Sequence, residues 1–226
     1  MSRDAILAKV RAALQVDRAD RGRNRAVAAR LEHPPDHPIP RRGDNESDTL
    51  VARFRSKLKE HGAEVITVQE ADEVPAAIVR TLRASDVPLR VRSGSDPHLA
   101  ALPWQTEPDL VVQRGKAEPD DRAGLSRAIA GIAETGTLVL ASGPHNPVTL
   151  GFVPDTHLVV VAAETIVAGY EDASALLAAE RGPAVLPRTL NFIAGPSRTG
   201  DIGGKIVMGA HGPRRLAVIL VGSGAA

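Results

Sequence analysis

Apolar residues recur along this chain in short regular patterns, cut by glycine, proline and charged positions. Near the start, Ile6, Leu7, Val10 and Leu14 stand at helical spacing, which predicts a short amphipathic helix whose stripe docks on the domain or on another subunit. From Arg18 to Asp48 the pattern stops. This stretch is charged, and Pro34, Pro35, Pro38 and Pro40 fix extended backbone without amide donors, so it reads as an arm or linker. Residues 1–48 are thereby set apart from a single α/β domain over 49–226.

Beyond the arm, strand-like and helix-like patterns alternate. Thr49–His61 is expected to be a helix ending at Gly62, Glu64–Val68 a strand, and Asp72–Ala84 a helix buried through Ala76, Ala77 and Val79 to Leu82. Leu89–Arg92 and Leu110–Gln113 follow as strands, and Asp120–Ala130 as a helix. Thr137–Ala141 and His157–Val161 read as strands, Ala173–Glu180 as a helix and Leu216–Val221 as a last strand. The rhythm of nearly continuous apolar strands between helices predicts an α/β fold with a mostly parallel sheet covered on both faces. No internal repeat is visible.

Composition narrows the function classes. The 226 residues are 43% apolar and 24% charged, which excludes a wholly disordered chain. There is no cysteine, so disulfides, thiolate nucleophiles and cysteine-ligated zinc or iron–sulfur centres within this polypeptide are excluded. Arginine is dispersed and the formal net charge is +1, a weak basis for nucleic-acid binding, and five aromatic side chains give few stacking platforms. The N-terminus lacks a signal-like apolar core, and the run Leu158–Ala163 stops at Glu164 at strand length. A soluble cytoplasmic protein is expected. His33 and His37 have metal-ligand spacing for a helix, but the surrounding prolines forbid that helix, and no metal site is assigned.

Small polar residues, glycine and proline gather after Glu134, at the ends of predicted strands, where open α/β sheets place ligand sites. In Ala133-Glu134-Thr135-Gly136-Thr137 a carboxylate beside a glycine can be presented as a general base or nucleophile, or can simply be exposed at a strand-entry turn. Ser142, His145 and Asp155 supply the residue types of a hydrolase triad, yet no Gly-x-Ser-x-Gly elbow surrounds Ser142. His157, opening an apolar strand, reads as a buried structural histidine. The run Gly195-Pro196-Ser197-Arg198-Thr199-Gly200-Asp201 suits an anion cradle, in which Ser197 or Thr199 caps a following helix and Arg198 adds a positive fork. It is not a Walker A loop, because Asp201 stands where the lysine is needed. His211, in the turn Gly209 to Arg214, can donate to a ligand or pin the turn.

Taken together, Ala-Glu-Thr-Gly-Thr-Leu-Val-Leu from Ala133, the strand from His157, Gly-Pro-Ser-Arg-Thr-x-Asp-Ile from Gly195 and Gly-x-His-Gly-Pro from Gly209 resemble the LUD-domain family. The resemblance covers roughly Leu50 to the C-terminus, and one position departs from it: Gly203 follows Asp201-Ile202 where relatives often carry an acid. It implies a three-layer α/β/α fold related to phosphoribose isomerases, class I CoA transferases and folate cyclo-ligases. It also implies a part in oxidising L-lactate to pyruvate with companion proteins that carry the iron–sulfur clusters, no cofactor being held by this chain. Glu134 and His211 become candidate catalytic residues, and Thr135, Gly136, Ser197, Arg198, Thr199, Asp201 and Gly212 candidate contacts of a small carboxylate or phosphate. The competing expectation is a self-sufficient CoA-transferase-like or sugar-phosphate-isomerase-like enzyme using Glu134, since Glu134-x-Gly136 has the form of a thioester-forming glutamate. A scaffold with a vestigial cleft is the third reading.

Overall fold

Ser2 and Asp20 start the first two helices of the computed structural model, which describes residues 2–15, 20–33, 38, 47–182, 185–202 and 205–222. The chain divides into two compact units, Met1–Ile39 and Pro40–Ala226. In the first, α1 (Arg3–Leu14) carries the predicted stripe, with Ser2 Oγ accepting from the Ala5 N–H at 3.3 Å. The stretch read as an arm is not extended throughout, since Arg21–Glu32 forms helix α2. Asp20 caps it by accepting from the Arg23 N–H at 3.0 Å, and its arginines and alanines are strong helix formers. Arg25 and Arg30 also donate to carbonyls four residues back, and the proline cluster begins only after the helix has ended. His33 closes α2, while His37 lies outside the described residues. Neither helix has a buried residue.

The second unit opens with α3 (Ser47–Glu60), where Leu50, Phe54 and Leu58 recur every fourth residue and turn one face inward. Its end is a Schellman turn: Gly62 is left-handed, its N–H donates to Lys59 O, and the Ala63 N–H donates to Leu58 O. Then come β1 (Glu64–Val68), α4 (Val74–Ala84), β2 (Arg90–Ser93), the single-turn α5 (Pro97–Ala100) and β3 (Val111–Arg114). These are followed by β4 (Ala123–Arg127), β5 (Ala130–Ile132), β6 (Thr137–Ala141), β7 (Thr156–Ala162) and β8 (Ile166–Val167). The chain ends with α6 (Tyr170–Arg181), β9 (Leu190–Ile193), β10 (Arg198–Ile202), β11 (Lys205–Met208) and β12 (Arg215–Val221).

Six strands form a wholly parallel sheet in the order β1-β12-β7-β4-β2-β3. Val218 of β12 lies level with Val65 on one side and Val159 on the other, and all three turn toward α3. Ile219, Leu158 and Leu125 face the opposite side, where Val74, Ile78 and Leu82 of α4 cover them. Burial on both faces is why these strands read as unbroken apolar runs.

The structure adds a second, smaller sheet, β8-β5-β6-β9, on the α3 side. Leu138 and Leu140 of β6 face the large sheet, while Ile132 and Val139 face Ala173 and Leu177 of α6. Helices thus cover this second unit on both outer sides, with the small sheet inserted beneath α6. This sheet overturns the helix expected over Asp120–Ala130, which is two strands instead. The alanines favour a helix locally, but Ala123–Arg127 is held between β2 and β7, and Gly131 lies against the Phe54 ring. A Cβ at Gly131 would sit 2.8 Å from that ring, so the position needs bare backbone and not a helix surface. Nor does a helix follow Ser197 or Thr199: both precede or lie in β10, which pairs antiparallel with β11.

Candidate functional site

In a parallel sheet all strand starts share one edge, and the motif residues that carry the family resemblance, around Glu134 and Ser197, gather toward that edge. Glu134, Thr135 and Gly136 form the tight turn between β5 and β6, with the Glu134 N–H donating to Ala168 O at 3.1 Å. Gly136 has φ +64° and lies directly on α3; a Cβ there would meet the Leu58 amide nitrogen at 2.7 Å. Thr135 Oγ1 is 2.7 Å from Thr137 Oγ1 and 3.2 Å from the Tyr170 hydroxyl, making a small hydroxyl cluster at the start of α6.

The second motif packs on the same part of α3. Ser197 is anchored by its N–H to Pro213 O at 2.8 Å and accepts from the Gly209 N–H at 2.9 Å, which brings Gly212 alongside it. Arg198 donates from Nη2 to His61 O at 2.6 Å, placing its cation at the carbonyl end of α3, where the helix dipole favours positive charge. Thr199 pairs with Val207 across the hairpin and Asp201 lies in β10, while His211 is exposed in the turn before β12. The C-terminal turn of α3 is therefore the common support of Glu134–Gly136 and Ser197–Gly212. Gly203 lies outside the described residues.

The three hydrolase-type residues are not assembled. Ser142 Oγ accepts from the Thr189 N–H at 2.8 Å, His145 Nδ1 bonds Ser95 O at 2.9 Å, and Asp155 accepts from Arg122 at 2.9 Å. His157 is buried, with Nε2 3.0 Å from Ser126 Oγ and Nδ1 unpartnered; burial pushes its pKa down to about 4.

At the opposite edge, beyond the carboxyl ends of β2, β4 and β7, the structure assembles a polar network that motif reading missed. Arg127, the last residue of β4, donates from Nε to Asp96 Oδ2 at 2.9 Å and from Nη2 to Glu180 Oε1 at 3.3 Å. Asp96 is only 5% exposed, and its other oxygen caps α5 by accepting from the His98 and Leu99 N–H groups. Two cavities flank this network and share Arg127 and His98. One, of about 600 Å³, is mainly apolar and lined by Leu99, Leu102, Val160 and Val221. The other, of about 370 Å³, is polar and lined by Asp96, His145, Asn146, Glu180 and Arg181 among others. Open α/β sheets hold ligands at this edge, beside the point where strand order reverses, as it does between β2 and β4. The available signal was Ser93-Gly94-Ser95-Asp96-Pro97: a strand end, a glycine, then a capping acid with proline at the helix start. Among the described residues no cluster of three or more His, Asp or Glu could hold a metal ion, and no helix is long and apolar enough to cross a membrane.

Comparison with known proteins bears on the same region. Residues 120–221 match the LUD domain family model, a span containing β4 and both motif clusters. A Geobacillus sp. protein named Lactate utilization protein C is 37% identical over 100 residues, covering 43% of this chain and 41% of that one, so this alignment spans less than half of that relative. The protein of the same name from Deinococcus radiodurans is 32% identical over 208 residues, covering 88% of this chain and 92% of its own. In structure, the chain is similar to a DUF162-family protein from Deinococcus radiodurans, with a TM-score of 0.60 and 28% identity over 79% of this chain and 100% of that one. Since the likeness runs nearly end to end in sequence and takes in the sheet that carries both edges described above, this chain belongs to the LUD-domain family.

Proposed function

We propose that this protein serves lactate utilization as a cytoplasmic component that carries no electron-transfer centre of its own. The observation that supports this most is the nearly full-length likeness to a relative named Lactate utilization protein C. Conversion of lactate to pyruvate releases two electrons and two protons, and a chain without cysteine has no thiolates to hold iron–sulfur clusters. In this reading the clusters sit on partner proteins, and this chain binds a partner and a small carboxylate or phosphorylated ligand. Glu134 and His211 are the groups assigned catalytic roles, and Thr135, Gly136, Ser197, Arg198, Thr199, Asp201 and Gly212 those assigned to ligand contact.

The test is growth on L-lactate of a deletion strain complemented with wild type, Glu134→Gln or His211→Ala, each checked for folding by circular dichroism. Deletion is expected to abolish growth and wild type to restore it, while the purified chain alone oxidises no lactate. Undiminished growth of the deletion strain, with no paralogue present, overturns the reading. Full complementation by both variants removes the catalytic assignments but leaves the role in place.

A further inference from the structure

The apolar cavity beyond the carboxyl ends of β7 and β12 combines a hydrocarbon wall with an acidic rim. Leu102, Pro103, Ala162 and Val221 line it and keep partial exposure, so the wall is open to an apolar body. Its volume of about 600 Å³ lies within the range of small-molecule sites.

Charge sets the sign of what enters. Asp72, just before α4, and Glu164, just after β7, both line the cavity, are exposed, and make no hydrogen bond or ion pair among the described residues. Glu73 stands at the head of α4 and already offsets the positive end of that helix, which leaves Asp72 to the cavity. The one arginine of the lining, Arg127, is held by Asp96 at 2.9 Å and by Glu180 at 3.3 Å. One guanidinium therefore stands against four carboxylates, a balance that attracts a cation and disfavours an anion. Thr165 Oγ1 gives its proton to Ala162 O at 2.8 Å, so it can only accept from a ligand. His98, exposed on α5, completes the polar lining.

We propose that this cavity binds a small aliphatic amine, its ammonium drawn to the rim of Asp72, Glu164 and Thr165 and its hydrocarbon body laid on Leu102, Pro103, Ala162 and Val221. Exposed carboxylates act through water, so the apolar wall supplies most of the affinity and the rim selects the sign of the head group. The site is separate from the motif residues at the other edge and is argued without the lactate role.

The test is calorimetry and amide-shift mapping by NMR on the full chain at about pH 8, where a primary amine is cationic. Butylamine, hexylamine, hexanol and hexanoate are the probes. Hexylamine is expected to bind about tenfold or more tightly than butylamine, since each buried methylene contributes about fourfold. It should also bind at least about fivefold more tightly than hexanol or hexanoate, with shifts centred on Leu102, Thr165 and Val221. Asp72→Asn combined with Glu164→Gln, both at exposed positions, should keep the melting profile, bring hexylamine down to the level of hexanol and leave hexanol itself unmoved. Should that double variant fail to fold, the wild-type preference for hexylamine over hexanol is expected to fall at least about twofold between about 0.02 and about 0.5 M salt. No binding of hexylamine at tens of millimolar, shifts centred elsewhere, hexanoate bound as tightly as hexylamine, a preference unmoved by salt, or an amine preference retained by the folded double variant overturns the proposal.

Discussion

His157 is the residue whose environment most alters its chemistry: burial holds it neutral, with its pKa lowered from 6.5 to about 4. The unfolded chain takes up a proton below about pH 6.5 while the folded chain does not, so the stability linked to His157 is complete above that pH. It is lost as pH falls from about 6.5 to about 4, with a total of about 3 kcal/mol from the size of the shift. His157→Gln keeps a donor toward Ser126 and removes the titration. Urea midpoints at about pH 7 and about pH 4.5 should differ clearly in wild type and much less in the variant. Gly136 offers a second test. A Cβ there meets α3 and the backbone is left-handed, so Gly136→Ala should cost more than about 2 kcal/mol in chemical unfolding. Histidine burial was legible from the apolar run after His157, whereas the orphaned Nε of Arg181 depends on a partner set that no local pattern encodes.

Among the elements, α3 carries the most. Phe54 is fully buried between the large sheet and the backbone of β5 at Gly131, and the helix end supports both motif clusters. Phe54→Ala is expected to cost about 3–5 kcal/mol in equilibrium unfolding and to loosen the β5–β6 turn, seen as faster amide exchange at Thr135–Thr137. Unchanged exchange there would separate the turn from the helix. The helical periodicity of Leu50, Phe54 and Leu58 and the Gly62 stop were readable, because a helix and its Schellman end are local. Ala123–Arg127 was not, because its strand conformation is imposed by neighbours at Arg92–Ser93 and Thr156–Val160, some thirty residues away in either direction. Short strands such as Ile166–Val167 are below the length at which alternation can be recognised.

For the molecule as a whole, all three clusters of buried apolar side chains come from the second unit, and neither α1 nor α2 buries a residue. Removal of residues 1–39 should therefore shift the melting temperature by no more than about 2 °C, measured by circular dichroism, since no core is lost. A larger drop would mean that the N-terminal helices stabilise the domain. What the sequence by itself determined is local and compositional: helices with their stops, apolar strands buried on both faces, an aliphatic core and no thiolate ligands. What only the tertiary structure decided is which edge of the sheet each loop occupies. That depends on the order β1-β12-β7-β4-β2-β3 and on pairs such as Arg198 with His61 and Arg127 with Asp96, distant along the chain. A motif records residue types in a row, but a binding site is made of groups that parallel strands carry to a common end.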